Sequence, residues 1–316
     1  MKRWAAAGAT VVIGDINVKK GDQLVRDLRR ETGNSNIHFF HCDVTEWQSQ
    51  VQLFKDAVKV SPHGGIDTVV ANAGIADPSN QIERPSGLDV AEPSPPSLAV
   101  LDVNLTGVVY TTHLALYYLP LNPHSSPAKP DCDPTQTPRD RHLLLLSSMA
   151  GLTPLPGQTL YAASKHAVVG LYRTLRCSSF VHGVRVNLIC PYFIDTPLFI
   201  TPGRMNLAGG QMGKIEDVVE AGTRFVADPR IIGRTAVVGP KMRVKQDNDG
   251  EWGLVEEAKA FGEEKAIWEV HAEDFQDSEL FTRNYVRLLN RVVEIRGWAG
   301  WFSDILTSLK YGVGWA

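Results

Sequence analysis

His142-Leu143-Leu144-Leu145-Leu146-Ser147 and Gly183-Val184-Arg185-Val186-Asn187-Leu188-Ile189-Cys190 are two short, almost uninterrupted apolar runs, and Tyr161–Phe180 between them carries a helical pattern. Runs of this length without polar alternation read as strands covered on both faces, the condition of strands in a parallel sheet. Strand, helix and strand make one β-α-β unit. The same unit recurs upstream. Ala9–Asp15 is a strand rich in Val and Ile that ends in an acid, and Lys19–Arg30 follows with Leu24, Val25 and Leu28 at helical spacing. Asn36–Cys42 is a second strand, Gln48–Val60 a helix and Thr68–Ala71 a third strand. Leu98–Leu119 is a long apolar helix, while Glu216–Ala227 and Thr235–Val238 add a last helix and a last strand. The alternation predicts an α/β fold: a doubly wound parallel sheet between two layers of helices, α/β/α.

Two stretches interrupt the pattern. Asp77–Ser97 holds five prolines and reads as loop, and Pro120–Arg141, rich in Pro, Asp, Ser and Thr, reads as a surface insertion with no core of its own. After about Lys241 the segments turn charged and aromatic and look helical, so the expected division is a domain over 1–241 and a helical extension over 242–316. Gly297–Ala316 carries Trp298, Trp301, Phe302, Ile305, Leu306, Leu309, Tyr311 and Trp315, an amphipathic tail suited to docking on protein, on a partner or on a membrane surface.

Composition narrows the function classes. Of 316 residues 43% are apolar and 21% charged, the net charge is -3, and no basic tract stands out, so nucleic acid is not an expected partner. The cysteines Cys42, Cys132, Cys177 and Cys190 are far apart, which reads as free thiols in a reducing, cytoplasmic setting without disulfides. No histidine pair has metal-ligand spacing, and His38 and His41 read as sheet residues, so no metal is expected. The start MKRWAAAGATVVIGD does not read as a secretory signal, and no uninterrupted apolar run reaches the ~18 residues of a spanning helix.

The chemistry concentrates at Tyr161-Ala-Ala-Ser-Lys165. Residues i and i+4 share a helix face, and a nearby ammonium favours the phenolate, which is expected to lower the tyrosine pKa toward working pH. Such a tyrosine exchanges a proton with a substrate oxygen. Ser148 stands thirteen residues earlier, where an apolar strand ends, and offers a hydroxyl to the same oxygen. Ser147 is the neighbouring choice, disfavoured by spacing. Asn104 lies inside the long helix after the third strand.

Together these residues resemble the short-chain dehydrogenase/reductase family over roughly Lys2–Lys241. The resemblance implies that Ser148, Tyr161 and Lys165 form a catalytic set and that Asn104 holds a water in a proton relay, packing alone being the alternative for Asn104. It implies that Asn72-Ala73-Gly74 lines a nicotinamide cofactor. It also implies that Asp43 and Val44 contact the adenine, a helix N-cap at Asp43 being the alternative. Asp15 at a strand end would accept hydrogen bonds from the ribose and repel a 2′-phosphate, pointing to NAD rather than NADP; a solvent-facing acid is the plainer reading. Pro191, Ile194 and Thr196 match a segment that wraps the nicotinamide, with Tyr192 where a glycine is usual. Leu198, Phe199, Ile200, Met205 and Leu207 then line an apolar cover over a small hydrophobic substrate. Homo-oligomers formed through the two long helices are implied as well.

The family's opening strand, glycine-rich turn and helix are not in this sequence, which is therefore expected to be incomplete at its N-terminus. That strand is central in the doubly wound order, so the strands at Ala9 and Thr68 would lack their shared neighbour. Two functions follow: hydride transfer between NAD(H) and a secondary alcohol or ketone, or a catalytically impaired binding or interaction protein that keeps the fold.

Overall fold

The computed structural model describes residues 1–77, 82–83, 92–129, 132–133, 135, 139–196, 210–247, 250, 252–255 and 262–270, and five residues beyond, 297, 300, 303, 305 and 306. Helix α1 is Lys2–Ala6, followed by β1 Val11–Asp15, α2 Val18–Thr32, β2 Ile37–His41, α3 Trp47–Val60 and β3 Thr68–Ala71. Then come the long helix α4 Ala99–Leu121, β4 His142–Leu146, α5 Thr159–Ser178, β5 Arg185–Pro191, α6 Ile215–Ala227 and β6 Thr235–Gln246. The expected alternation is present, with boundaries within a few residues up to β6.

The parallel strands fall into two groups. β1 pairs with β2 from Val11↔Ile37 to Asp15↔His41. β3, β4, β5 and β6 pair in sequence order, through Thr68↔His142, His142↔Arg185 and Leu188↔Thr235. β1 and β3 thus belong to separate sheets, as expected for strands without a shared neighbour. Helix α3 links the groups: Phe54 packs into the core of the larger sheet, and Gln50 Nε2 donates to both Val44 O and Gly107 O, at 2.7 and 2.9 Å.

The larger sheet is covered on both faces. Leu143, Leu145, Val186 and Leu188 pack with Val168, Val169 and Tyr172 of α5 and with Val108, Leu114, Ala115 and Leu119 of α4. The alternate residues Leu144 and Ile189 pack with Ala221 and Phe225 of α6. Two apolar sides per strand explain the unbroken Leu143–Leu145 run. Helix α4 is long and apolar enough to cross a membrane by length and composition, which counting uninterrupted runs did not show. Its buried Val108, Leu114, Ala115 and Leu119 belong to the core of the sheet. Asp102–Thr106 within it forms a π-helical turn.

Two expectations are corrected. β6 does not stop at Val238 but continues through Lys241 to Gln246, and the described segments that follow it up to Val270 are strands rather than helices: β7 Trp252–Leu254 and β8 Glu263–Val270, both antiparallel to β6, while the described residues 297, 300, 303, 305 and 306 are helical. Short aromatic and charged segments such as Glu263–Val270 mimic helix composition, and long-range pairing decides between the two. A boundary at Lys241 would cut β6, and the first compact unit runs to His271. The tail residues Trp298, Trp301, Phe302, Leu309, Tyr311 and Trp315 lie outside the described residues.

Pro120–Arg141 does lack helix and strand of its own after Leu121 among its described residues, but polar groups anchor its ends. Asn122 Nδ2 donates to Asp67 Oδ1 and to Asp140 O, both at 2.9 Å. Arg185, which the sequence hides inside an apolar strand, is fully buried and donates to Asp140 Oδ2 at 2.6 Å through Nη2 and to Phe225 O and Ile231 O through Nη1. Removing one partner of such a pair strands the other charge, at a cost of ~3 kcal/mol. Asp140→Ala should therefore lose about 3 kcal/mol in urea unfolding, and the double change with Arg185→Met less than that. An unchanged midpoint for Asp140→Ala would show that the pair holds nothing.

Candidate active site

The carboxyl ends of parallel strands bring the expected site residues to one side: Asp15 closes β1, Asp43 and Val44 follow β2, Asn72-Ala73-Gly74 follow β3, Ser148 follows β4, and Pro191 closes β5. Open parallel sheets bind ligands at that edge.

Tyr161 sits in the first turn of α5 and Lys165 one turn on. Ser148 has extended backbone and starts a short turn, its Oγ accepting from Ala150 N at 3.2 Å. The same hydroxyl donates to Pro191 O at 3.4 Å and stands close enough to the Tyr161 side chain to lower its pKa. Ser147 points elsewhere: its Oγ donates to Lys165 O at 2.8 Å, tying β4 to α5.

Lys165 is only 5% exposed. Among the described residues its Nζ makes one hydrogen bond, to Leu146 O at 3.3 Å, and it stands 5.7 Å from the centre of the Tyr161 ring. Burial lowers its pKa to about 8. Burial also raises the tyrosine, with the Ser148 hydrogen bond pulling it part of the way back. That direction is opposite to the lowering expected from an ammonium at i+4. Both groups have left water, and desolvation outweighs their attraction over this distance. Cys190 is pushed up to about 12 by burial, so its thiol stays neutral beneath the lysine.

Asn104 is fully buried in the π-helical turn. Its Oδ1 accepts from Ile75 N at 2.8 Å, and its Nδ2 donates to Ile75 O at 2.9 Å and to Ser164 Oγ at 3.2 Å. Both amide protons are used, so any water held at Asn104 is held by an oxygen. Gly74 is pressed against this group: a Cβ there would lie 3.4 Å from Asn104 Oδ1 and 3.6 Å from Lys165 Nζ.

The remaining expected residues divide. Asp15 is exposed, and its carboxylate accepts from Asn17 N at 2.8 Å. Asp43 is not a helix cap. Glu46 precedes α3, while Asp43 Oδ1 accepts from Thr45 N and Thr45 Oγ1, at 2.9 and 2.7 Å, and these bonds lower its pKa. Both carboxylates are close enough to act on the Cys42 thiol. Val44 packs on Gly107, where a Cβ would meet its Cγ2 at 2.9 Å. Ile194 forms an isolated bridge with Gly213 and Tyr192 N donates to Val238 O at 2.8 Å, so Pro191–Thr196 is pinned to the end of the sheet. Tyr192 has no positive φ, so this turn does not need the glycine; its ring packs edge-on against Phe193, centroids 4.7 Å apart. Leu198, Phe199, Ile200, Met205 and Leu207 lie outside the described residues.

Sequence reasoning missed Gln158, Ser164 and Asp77. Ser164 Oγ donates to Tyr161 O at 2.7 Å and receives the Asn104 amide. Gln158 Nε2 donates to Asp77 O at 2.8 Å. The usable signal for Gln158 and Ser164 was their place beside Tyr161: uncharged hydrogen-bonding side chains at the start of a helix otherwise devoted to the core.

Comparison with known proteins agrees with the geometry. A family model for short chain dehydrogenase matches residues 1–128 and 136–205. A 5'-hydroxyaverantin dehydrogenase of Dothistroma septosporum is 36% identical over 269 residues, 79% of this chain and 83% of its own length. A protein of the same description from Emericella nidulans is 36% identical over 270 residues, 80% of this chain and 84% of its own. An NADP-dependent dehydrogenase of Phoma sp. is 33% identical over 221 residues, 66% of this chain and 62% of its own. With that extent of match and the Ser148, Tyr161 and Lys165 cluster at the strand ends, this chain belongs to the short-chain dehydrogenase family.

Proposed function

We propose that the chain is an NAD-dependent dehydrogenase that interconverts a secondary alcohol and a ketone of small, hydrophobic character, with Tyr161, Ser148 and Lys165 acting around the substrate oxygen. The observation that carries this reading is the clustering of Ser148, Tyr161 and a buried Lys165, the Lys165 ammonium 5.7 Å from the centre of the Tyr161 ring and Ser148 near enough to lower the tyrosine pKa. The names of two relatives describe dehydrogenation of a hydroxylated compound, 5'-hydroxyaverantin.

The residues present fit the ribose and nicotinamide parts of the cofactor. A buried ammonium whose described hydrogen bonding is one carbonyl has donors to spare for ribose hydroxyls. Asn72, Ala73, Pro191, Ile194 and Thr196 would form the walls, with Asp43 and Val44 toward the adenine. When bound, the nicotinamide takes or supplies the hydride. The chain does the rest. Ser148 donates to the substrate oxygen and orients it. Tyr161 accepts the hydroxyl proton during oxidation and returns it during reduction. Lys165 positions the ribose, and its charge favours the phenolate once ligands have excluded water. Asn104 steadies Ile75 and with it Gly74, and a water at one of its oxygens would pass the proton to solvent.

Asp15 supports NAD, because a carboxylate where the ribose hydroxyls arrive repels a 2′-phosphate. The Phoma relative is named for NADP, so this preference needs its own test.

Three measurements follow. Titrated with NADH, the purified chain should bind saturably, and Tyr161→Phe should bind equally while losing about a thousandfold in alcohol oxidation; normal turnover by that variant would remove Tyr161 from the reaction, and a folded chain that ignores NADH would favour a non-catalytic binding protein. Asp15→Ala should lower the NAD-to-NADP ratio of kcat/KM by about tenfold, and an unmoved ratio would place the ribose elsewhere. Lys165→Met should abolish turnover yet stabilise the fold. The folded lysine titrates near 8 against an unfolded value of 10.5. Below pH 8 the buried charge costs about 3 kcal/mol, and the cost disappears as pH rises toward 10.5. The gain in Tm should be full at pH 7 and shrink above pH 8; a gain independent of pH would mean that packing, not charge, is responsible.

A further inference from the structure

Gln158 precedes Tyr161 by three residues and is the residue from which α5 starts. Its main-chain oxygen accepts from Ala162 N at 2.8 Å, but its side chain does not cap the helix. The side chain crosses to the loop after β3, where Nε2 donates to Asp77 O at 2.8 Å and Oε1 accepts from Asp77 N at 3.2 Å. Asn104 treats Ile75 the same way, at 2.9 and 2.8 Å. Two side-chain amides thus satisfy both backbone groups of two alternate residues, the pairing that a neighbouring strand would otherwise provide. The first of the pair sits beside Lys165 through Gly74, and the second lies one turn ahead of Tyr161. Thr159, the next residue of α5, adds a hydrogen bond from its hydroxyl to the Glu83 carboxylate.

We propose that Gln158 is a positioning residue for proton transfer: by binding both backbone groups of Asp77 it holds Gly74–Asp77 against the first turn of α5 and fixes the side from which a substrate oxygen reaches Tyr161. This rests on the dehydrogenase reading above. Asp77 is buried, at 3% exposure, so its backbone groups have little water to replace the amide. Losing the amide frees the loop wall beside the tyrosine, and a small misplacement of reacting groups is costly in rate.

The test compares the full chain with Gln158→Ala and Gln158→Glu, using one secondary alcohol that the wild type oxidises, over a range of pH. Gln158→Ala should lower kcat by about tenfold or more with NADH affinity unchanged, and should speed hydrogen exchange at the Asp77 amide. A carboxylate can only accept, so Gln158→Glu should be impaired at neutral pH. A neutral carboxyl both donates and accepts, as the amide does. The ratio of Gln158→Glu to wild-type kcat should therefore climb as pH falls toward the glutamate range, while that of Gln158→Ala stays flat. Each variant is read against the wild type at the same pH, so a loss from poor folding would not follow the carboxyl's titration. Wild-type kcat in Gln158→Ala, or a flat ratio for Gln158→Glu, overturns the proposal while leaving the dehydrogenase reading intact. Failure of the wild type to oxidise any alcohol overturns the dehydrogenase reading and the positioning role with it, whatever the exchange at Asp77.

Discussion

A lysine taken out of water organises the site. Lys165 is nine-tenths buried or more, with Leu146 O as its hydrogen-bond partner and a neutral thiol beneath it. A charge in that setting is expensive unless a ligand completes its shell. The neighbouring groups are placed accordingly. Ser147 ties the main chain of the lysine to β4, Gly74 leaves room for its ammonium, and Ser148 keeps a hydroxyl on Tyr161. Burial raises the tyrosine and lowers the lysine, so without ligands both lean toward their neutral forms. Stability is given up at this point for readiness to react.

The helix that carries this pair meets two demands at once. Val168, Val169 and Tyr172 of α5 fill the sheet's core, while Tyr161 and Lys165 belong to its first turns near the strand ends. Rigid packing behind the pair converts small polar ties into positional control. The ties from Asn104 and Gln158 reach the loop after β3 rather than the reacting groups themselves. The loop after β3 is thus tied to both α4 and α5.

Local patterns carried much of this into the sequence. Unbroken Leu143–Leu145 and the Val186–Cys190 run announced strands covered on both faces, and the residues that carry the family resemblance, Ser148, Tyr161 and Lys165, lie near one another. What failed depended on distant partners. Glu263–Val270 looks helical until β6 is there to pair with it. Arg185 reads as an intruder in an apolar strand because Asp140, 45 residues away, is invisible to periodicity. The direction of the Tyr161 shift also escaped, because helix spacing reveals a nearby charge but not how much water both groups have lost. Tyr192 shows the reverse: the family pattern asks for glycine there, and the backbone does not need one.

The antiparallel pairing of β8 changes what the protein shows to its neighbours. Without it, Thr235-Ala-Val-Val238 of β6 would end the larger sheet as a bare apolar border, offering unpaired amides and carbonyls to any extended chain. β8 covers that border from Thr235↔Val270 to Val238↔Ile267, and the strand outermost among the described residues reads Glu263-Glu264-Lys265-Ala266-Ile267-Trp268-Glu269-Val270. Four of its eight residues are charged, which discourages intermolecular strand addition. The described part of the segment after Lys241 therefore replaces an apolar border of the sheet with a charged one. Shortening the chain at that point would expose the border and lower its solubility.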